Sequence, residues 1–425
     1  MRNVSILLLV VLNHSVVSAF APFHHLPYCG RTTCGFVSLP TFRIKHELGS
    51  VATPHTSHEN GGGVNQEPQL DPAHSTRRPC TIFLDGVCNM RGVTLKRFLS
   101  EISILNPELQ ELTTLLGGID TACKTISNTV KRSQLPSPDT PLGYDNNDTD
   151  DSVAATSQDE EPHSLYVTTN NIMKRALRFT GRLGMFASEE GDSLVHHVVG
   201  DEEGEAKELV FDESENYVAV FDTLNGSSNI DAGIPTGTII GIYQHDETCL
   251  AQEECVGLGP ECSEDQARRL ANTLQPRKNM VAAAYCLYSS STFFVLTLGT
   301  GVYMFVLDDQ IGEFVLSRPN LIIPETSSIM SFNEANLEKW DKPMQAVVKG
   351  WRNGTGQSGK QFSSRYIGSM VADVHRTLLY GGVFGYPADS MDVNGKLHLL
   401  YEGAPMAFLM EQAGGIATTG TQRVM

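Results

Sequence analysis

Phe221-Asp-Thr-Leu-Asn-Gly-Ser-Ser-Asn-Ile-Asp231 decides how the rest of the chain is read, because it closes an apolar run on a carboxylate and then turns through glycine and serine. The preceding Tyr217-Val-Ala-Val-Phe221 reads as a buried strand, so Asp222 falls at a strand end, where a carboxylate can face a divalent cation. Gly226, Ser227 and Ser228 follow with the backbone amides and hydroxyls that cradle a phosphate. Two other stretches bring acids after apolar runs. Ala187-Ser-Glu-Glu190 offers Glu189 and Glu190, and the strand-like Leu399-Leu-Tyr-Glu402 offers Glu402 ahead of the helix-like Ala404-Pro-Met-Ala-Phe-Leu-Met-Glu411. One acid at a strand end is ordinary surface chemistry. Three such clusters beside a glycine-serine turn are what paired Mg²⁺ ions need, since Mg²⁺ takes carboxylates and waters and paired ions stabilise both attacking and leaving oxygens. The combination points to a metal-assisted phosphatase.

The 425 residues admit two to three domains, and 40% hydrophobic content is that of a soluble chain. A formal charge of -18 excludes nucleic acid and anionic membranes as natural partners, although part of it lies in one linker. Residues 1–79 read as a disordered address. Arg2 precedes the run Val4 to Leu12, which is too short to span a bilayer, and Val17-Ser-Ala19 has the small-residue form of a signal-peptidase site. Phe20 then opens a stretch to about Arg78 rich in Ser, Thr, His and Arg, and no transmembrane helix is expected in the mature chain. Simple secretion is the alternative, but it leaves the basic stretch without a purpose.

The body begins near Cys80 to Leu84 and Thr94 to Leu99. An amphipathic helix is expected from Asn106 as N-cap, through Pro107 and the acids Glu108 and Glu111, to Lys131 and Arg132. Its apolar face is Leu109, Leu112, Leu116, Ile119, Cys123, Ile126 and Val130. The Pro-, Asp-, Asn- and Ser-rich residues 133–163 read as a disordered loop, and Asn279 to Leu307 as a β-rich stretch. This gives a metal-bearing domain over 80–330 and a sugar-phosphate domain over 331–425, the latter with two further helical patterns and a strand from Lys396 to Glu402. Nine cysteines show neither disulfide-scaffold nor zinc spacing, yet Cys249, Cys255 and Cys262 share one acidic loop within 244–276.

From about Thr94 onward the chain resembles class 1 fructose-1,6-bisphosphatase, within the lithium-sensitive, Mg²⁺-dependent sugar phosphatase superfamily. Besides the glycine-serine turn, the motifs are Gly237-Thr-Ile-Ile-Gly-Ile-Tyr243, Gly312-Glu-Phe-Val-Leu316, Ser331-Phe-Asn-Glu334, Ser364-Arg-Tyr-Ile-Gly-Ser-Met-Val-Ala-Asp-Val-His-Arg376 and Asn394-Gly-Lys396. Gly226 to Asp231 with Asn279 to Ser291 is similar to the plastid type rather than to sedoheptulose-bisphosphatase. The resemblance implies an α/β fold, a fructose-bisphosphatase-like layered α-β-α-β-α sandwich with mixed sheets. It implies Glu189, Glu190 and Asp222 as catalytic residues, and Glu189, Asp222, the Leu224 carbonyl, Asn225 and Glu402 as metal ligands. Gly226, Ser227 and Ser228 would hold the 1-phosphate, while Asn333, Arg365, Tyr366, Tyr386 and Lys396 would hold the 6-phosphate and sugar. Arginine forks around phosphate oxygens, lysine adds a point charge and tyrosine orients without charge. The implied cofactor is Mg²⁺, two or three ions per site, with Mn²⁺ as an alternative. The implied activity is hydrolysis of fructose 1,6-bisphosphate by a Mg²⁺-activated water in the plastid stroma, serving the Calvin cycle or gluconeogenesis. A bipartite signal and transit peptide would deliver the chain, which would form a homotetramer with Arg365 reaching a neighbouring subunit, and thioredoxin would act on the cysteine loop.

Departures from the family pattern lie in the site. Thr223 replaces a proline, Asn225 a second metal-turn aspartate, His398 an arginine, Met391 a lysine, Leu337 a tyrosine, and Tyr166 the upstream aspartate of proton transfer. An asparagine brings a carbonyl oxygen but no charge, so the site attracts dications less. This keeps open a catalytically impaired paralogue acting as a binding or regulatory subunit, and, separately, sedoheptulose-bisphosphatase or another sugar phosphatase. Cys249 matches the first thioredoxin-switched cysteine, whereas Leu270 and Leu274 occupy the places of the other two. Leu109-Gln110, Asn216-Tyr217 and Gln244 lack the cations that hold AMP in animal-type relatives, which fits the plastid type. The stop at Gln422-Arg-Val-Met425 falls inside what reads as a rising strand, as in a truncated chain.

Overall fold

A computed structural model describes residues 82–133, 135, 160–181, 185–188, 217–245, 271–356, 358–393, 395–420 and 422–424. The address over 1–79, most of the acidic linker, Glu189, Glu190, and Cys249, Cys255 and Cys262 lie outside the described residues. Thr94 starts the first helix, α1 (Leu95–Leu105), by accepting the Arg97 N–H on its hydroxyl. The next helix, α2 (Gln110–Arg132), follows a 3₁₀ turn over Pro107–Leu109, and Asn106 does not cap it. The buried Asn106 side chain instead accepts from Phe83 N–H at 2.7 Å and donates to Phe83 O and Ile102 O, which stitches the entering chain to α1. Helix α3 (Glu160–Phe179) begins inside the segment expected to be loop, so that expectation fails over 160–163.

Seven strands form one sheet in sequence order: β1 (Met185–Ser188), β2 (Tyr217–Asn225), β3 (Thr236–Gln244), β4 (Met280–Tyr288), β5 (Thr292–Thr297), β6 (Val302–Asp308) and β7 (Glu313–Arg318). β1 runs parallel to β2, and the remaining neighbours are antiparallel, which makes the sheet mixed. Side chains alternate across it. Ala219 and Phe221 face a core with α1, α2 and α3, while Val218 and Val220 face a second core with α5 (Met370–Tyr380) and α6 (Ala404–Gln412). Burial on both faces explains why β2 and β4 read as continuous apolar runs. Beyond α5 lie the parallel strands β8 (Ile329–Ser331), β9 (Ser363–Ser364) and β10 (Val383–Phe384), ordered β10-β8-β9. Their own small core joins Phe332, Trp340, Val348, Trp351 and Phe362, packed with α4 (Lys342–Asn353). Helices, large sheet, helices, small sheet and helix give the α-β-α-β-α layering that the resemblance implies.

A further local expectation fails. Leu399–Gly403 is a π-helical turn, with Glu402 N–H and Gly403 N–H both donating to His398 O, and it leads directly into α6. An apolar run of this length looks the same whether it enters a strand or a buried helix. Near the end, Arg423 pairs antiparallel with Thr418, and Val424 N–H donates to Ala417 O.

α5 sits close to the large sheet because β3 has glycine beneath it: a Cβ at Gly237 would lie 2.6 Å from Cys286 O and 2.8 Å from Val371 Cγ1. One turn along, His375 Nδ1 shares a hydrogen with the Tyr285 hydroxyl at 2.7 Å, and its ring lies 4.7 Å from that of Phe293. Burial keeps this imidazole neutral and lowers its pKa to about 4 from 6.5. Between those values the unfolded chain binds a proton that the folded one refuses, so stability falls as pH drops from 6.5 towards 4. Over this window urea unfolding of the wild type should lose about 2–3 kcal/mol more than that of His375→Gln, which keeps an acceptor for Tyr285 but cannot charge. Equal slopes for the two proteins would rule His375 out as the source.

Candidate active site

The ladder between β2 and β3 is regular as far as Asp222 opposite Ile239, then shifts before Asn225 opposite Gly237. This bulge re-aims the strand end, and Thr238 Oγ1 pins it by donating to Thr223 O at 2.7 Å. Asp222 turns back on the bulge: Oδ1 accepts Leu224 N–H at 3.0 Å and the Tyr166 hydroxyl at 3.5 Å, and Oδ2 accepts Asn225 Nδ2 at 2.9 Å. The same Nδ2 donates to Glu402 Oε1 at 2.6 Å, while Glu402 Oε2 accepts His398 N–H at 2.6 Å. Asp222 is 1% exposed and Glu402 7%. Two buried carboxylates thus converge on one amide, beside the Leu224 and Thr223 backbone. The two carboxylates are oxygen donors of the kind a hard divalent cation takes. Ser188 Oγ donates to Asn170 Oδ1, and Ser188 pairs with Phe221, the neighbour of Asp222. Ser188, at the sheet end that carries Asp222, is the last described residue of β1, and Glu189 and Glu190 lie outside the described residues. Among the described residues no three His, Cys, Asp or Glu side chains form a ligand cluster.

Gly226 makes the turn that follows possible with φ 77°, a left-handed value that a side chain would strain. Ser227–Asn229 then form one 3₁₀ turn, with Ser228 exposed and Ser227 partly so. Asn229 Nδ2 reaches across to Gly368 O at 3.2 Å, which ties the turn to the segment Arg365 to Gly368.

That segment is shaped by Asp373, which is fully buried at the start of α5. Its carboxylate accepts Ile367 N–H and Gly368 N–H at 3.1 Å, Ser331 Oγ at 2.5 Å and Arg376 Nη1 at 3.0 Å. Arg376 Nη1 also donates to Arg365 O. Tyr366 is thereby held against Tyr386. Burial and a hydrogen bond with Tyr386 raise the Tyr366 phenol well above its usual range, so it stays protonated at neutral pH. Lys396 Nζ sits 5.7 Å from the Tyr386 ring centre, and Asn333 and Tyr386 line one recess with Asn336, Trp340, Gly385 and Pro387. Asn333 also caps a 3₁₀ turn by accepting Ala335 N–H.

The structure therefore gathers Asp222, Leu224, Asn225 and Glu402 with the Gly226 turn, and Tyr366 with Tyr386 and Lys396. Arg365 stands apart on the surface, its guanidinium donating to Ser364 O. Of the departures, Tyr166 does reach Asp222, Leu337 packs into the small core, and Met391 is exposed. Sequence reading missed Asp373. A buried acid three residues before an arginine on a helix is a weak signal, and besides Arg376 its partners are Ser331 and two backbone N–H groups that no pattern displays.

Family profiles described as fructose-1-6-bisphosphatase N-terminal and C-terminal domains match residues 93–319 and 323–425. The chain is 39% identical over 399 residues to the chloroplastic fructose-1,6-bisphosphatase of Pisum sativum, covering 94% of this chain and 89% of that protein. It is 45% identical over 316 residues to the chloroplastic enzyme of Brassica napus, covering 74% and 70%. Among solved structures, Leishmania major fructose-1,6-bisphosphatase in its holo form superposes with a TM-score of 0.60 at 33% identity, covering 76% of this chain and 87% of that one. Its apo form gives 0.59 at 32% identity, covering 76% and 86%.

Asp373→Asn turns a four-partner acceptor into a group whose amide hydrogens face donors. It should cost about 2–4 kcal/mol in chemical denaturation, because a buried charged pair is broken and backbone N–H groups lose their acceptor. Hydrogen exchange should quicken at Ile367 and Gly368 while β4 and β5 stay protected; unchanged exchange there would show that Asp373 does not hold the segment.

Proposed function

Because the chain belongs to the fructose-1,6-bisphosphatase family, we propose that Asp222, Glu402 and the Gly226 turn form its phosphoryl site, in which fructose 1,6-bisphosphate loses its 1-phosphate to give fructose 6-phosphate. The observation that carries this assignment is the Asn229 to Gly368 hydrogen bond, which joins the phosphate turn to the segment bearing Tyr366. Gly226 leaves its backbone open to close approach, and Ser227 and Ser228 offer hydroxyls and amides to the 1-phosphate. At the other end Lys396 supplies charge to the 6-phosphate, and the Tyr366 and Tyr386 hydroxyls and Asn333 orient the sugar. Asp222, Glu402 and the Leu224 carbonyl would hold the divalent cation, with Asn225 and the flanking Glu189 and Glu190 completing the set. Bound there, Mg²⁺ or Mn²⁺ would polarise the phosphoryl oxygens and acidify a water. The phenol of Tyr166 stands where the resemblance puts a carboxylate base, so it donates to Asp222 rather than taking up a proton.

The finer parts of the reading rest on sequence. Surface-exposed Arg365 is suited to reach a neighbouring subunit of a homotetramer. The relatives' names support a plastid, and Val17-Ser-Ala19 before Phe20 supports entry to the stroma through a bipartite address. Cys249, with Cys255 or Cys262, is the pair on which thioredoxin would act. The boundary between a metal-bearing and a sugar-phosphate domain lies near residue 330.

Phosphate release from fructose 1,6-bisphosphate should require added Mg²⁺ and stop with a chelator. Glu402→Gln should lower kcat by about a hundredfold or more, and Lys396→Ala should raise KM about tenfold, the latter worth roughly 1.4 kcal/mol of binding. A folded protein that releases no phosphate from this substrate at any Mg²⁺ concentration would end the reading. For the address and the loop, a fluorescent fusion of residues 1–79 should enter a plastid and be diverted by Phe20→Ala, and peptide mapping after oxidation should find a Cys249 disulfide that reduced thioredoxin opens. Cytosolic fluorescence, or freely alkylated thiols after oxidation, would reject the respective claim.

A further inference from the structure

Asp222 Oδ2 and Glu402 Oε1 both accept from Asn225 Nδ2, at 2.9 and 2.6 Å. An amide nitrogen has two hydrogens, one for each carboxylate. The remaining oxygens are served by Leu224 N–H, the Tyr166 hydroxyl and His398 N–H. Two carboxylates this deeply buried repel each other unless a cation or hydrogen-bond donors stand between them. Here the Asn225 amide stands between them as a neutral donor, and Asn225 and Tyr166 occupy positions where the resemblance puts acids. An aspartate at 225 would bring a third negative charge and no hydrogen to give.

We propose that Asn225 is a positioning residue that clamps the Asp222–Glu402 pair, so that the site keeps its shape without a cation and a cation binds only by displacing the clamp. This rests on the reading of that pair as the cation site. The consequence is a protein whose fold is insensitive to chelation and whose cation affinity is set low by the hydrogen bonds that must first be broken. Both properties belong to this chain's asparagine rather than to the carboxylates alone.

The test uses the full chain and Asn225→Asp, with thermal unfolding in chelator and in increasing Mg²⁺, and calorimetric titration with Mn²⁺. In chelator the variant should unfold about 3–6 °C below the wild type, because charge-assisted bonds are replaced by repulsion. Mg²⁺ should raise the variant's midpoint at least twice as far as the wild type's, and Mn²⁺ affinity should rise roughly ten- to hundredfold. Should Asn225→Asp fail to fold without cation, Asn225→Asp with Glu402→Gln removes one of the two acids that face the new aspartate. The oxygen of the amide introduced by Glu402→Gln can accept His398 N–H while its nitrogen donates to the new aspartate, and the chelated midpoint should regain part of the loss, since Asp222 still faces that aspartate. Equal midpoints of wild type and Asn225→Asp in chelator, equal Mn²⁺ affinities, or a double variant no better than the single one would each overturn the clamp. Phosphate release from fructose 1,6-bisphosphate, measured on the same samples, separates the two readings: its absence beside the expected midpoints and affinities would remove the substrate assignment and leave the clamp standing.

Discussion

A sheet sealed on both faces can present polar chemistry only where its strands run out. β2 is buried along almost its whole length, so a carboxylate inside it would be an uncompensated charge in the core. Asp222 is the last residue before the ladder slips, and the bulge after it is what lets the side chain meet a backbone N–H instead of apolar neighbours. Glu402 reaches the same place from another direction, on a π-helical turn whose wide hydrogen bonding aims the carboxylate back at His398 N–H. The site is thus a product of two local failures of regular structure placed at one end of a well-sealed sheet.

The second half of the site depends on α5. This helix touches the large sheet through Val371 and His375, leads through Gly381 and Gly382 into β10 of the small sheet, and begins with the carboxylate that shapes Arg365 to Gly368. Tyr366 owes its place to these contacts. A hydrogen bond from Asn229 then connects this arrangement to the phosphate turn, so the groups proposed to receive the two ends of the substrate are set by one packed unit.

What the sequence displayed was local. The apolar run of β2 ending in Asp222, the glycine required by a left-handed turn and the long β-rich stretch from Asn279 were all legible, because strand burial and turn chemistry leave their mark on neighbouring residues. Leu399 to Glu402 was misread since a buried π turn and a buried strand are equally apolar. Asn106 looked like a cap, and only the fold could reveal that Phe83 would compete for its side chain. Asp373 stayed hidden for the same reason: Ser331 and the Ile367 and Gly368 N–H groups are brought to it by the tertiary structure. Asn225 was legible as a lost charge; its role as a donor to two acids became visible only when Glu402 came within 2.6 Å.

Gly237 shows how far a small side chain can matter. Its missing methyl is the space in which Val371 and Cys286 O lie against β3. An alanine there would be among the mildest changes a codon can make, and it would sit in a strand interior far along the chain from Tyr366. Yet the helix it would lift carries both Asp373 and His375. Tolerance at this position therefore follows the spacing between layers, and a benign-looking variant at this packed glycine, which pairs with Asn225 in the ladder, belongs with the active-site variants when alleles are ranked.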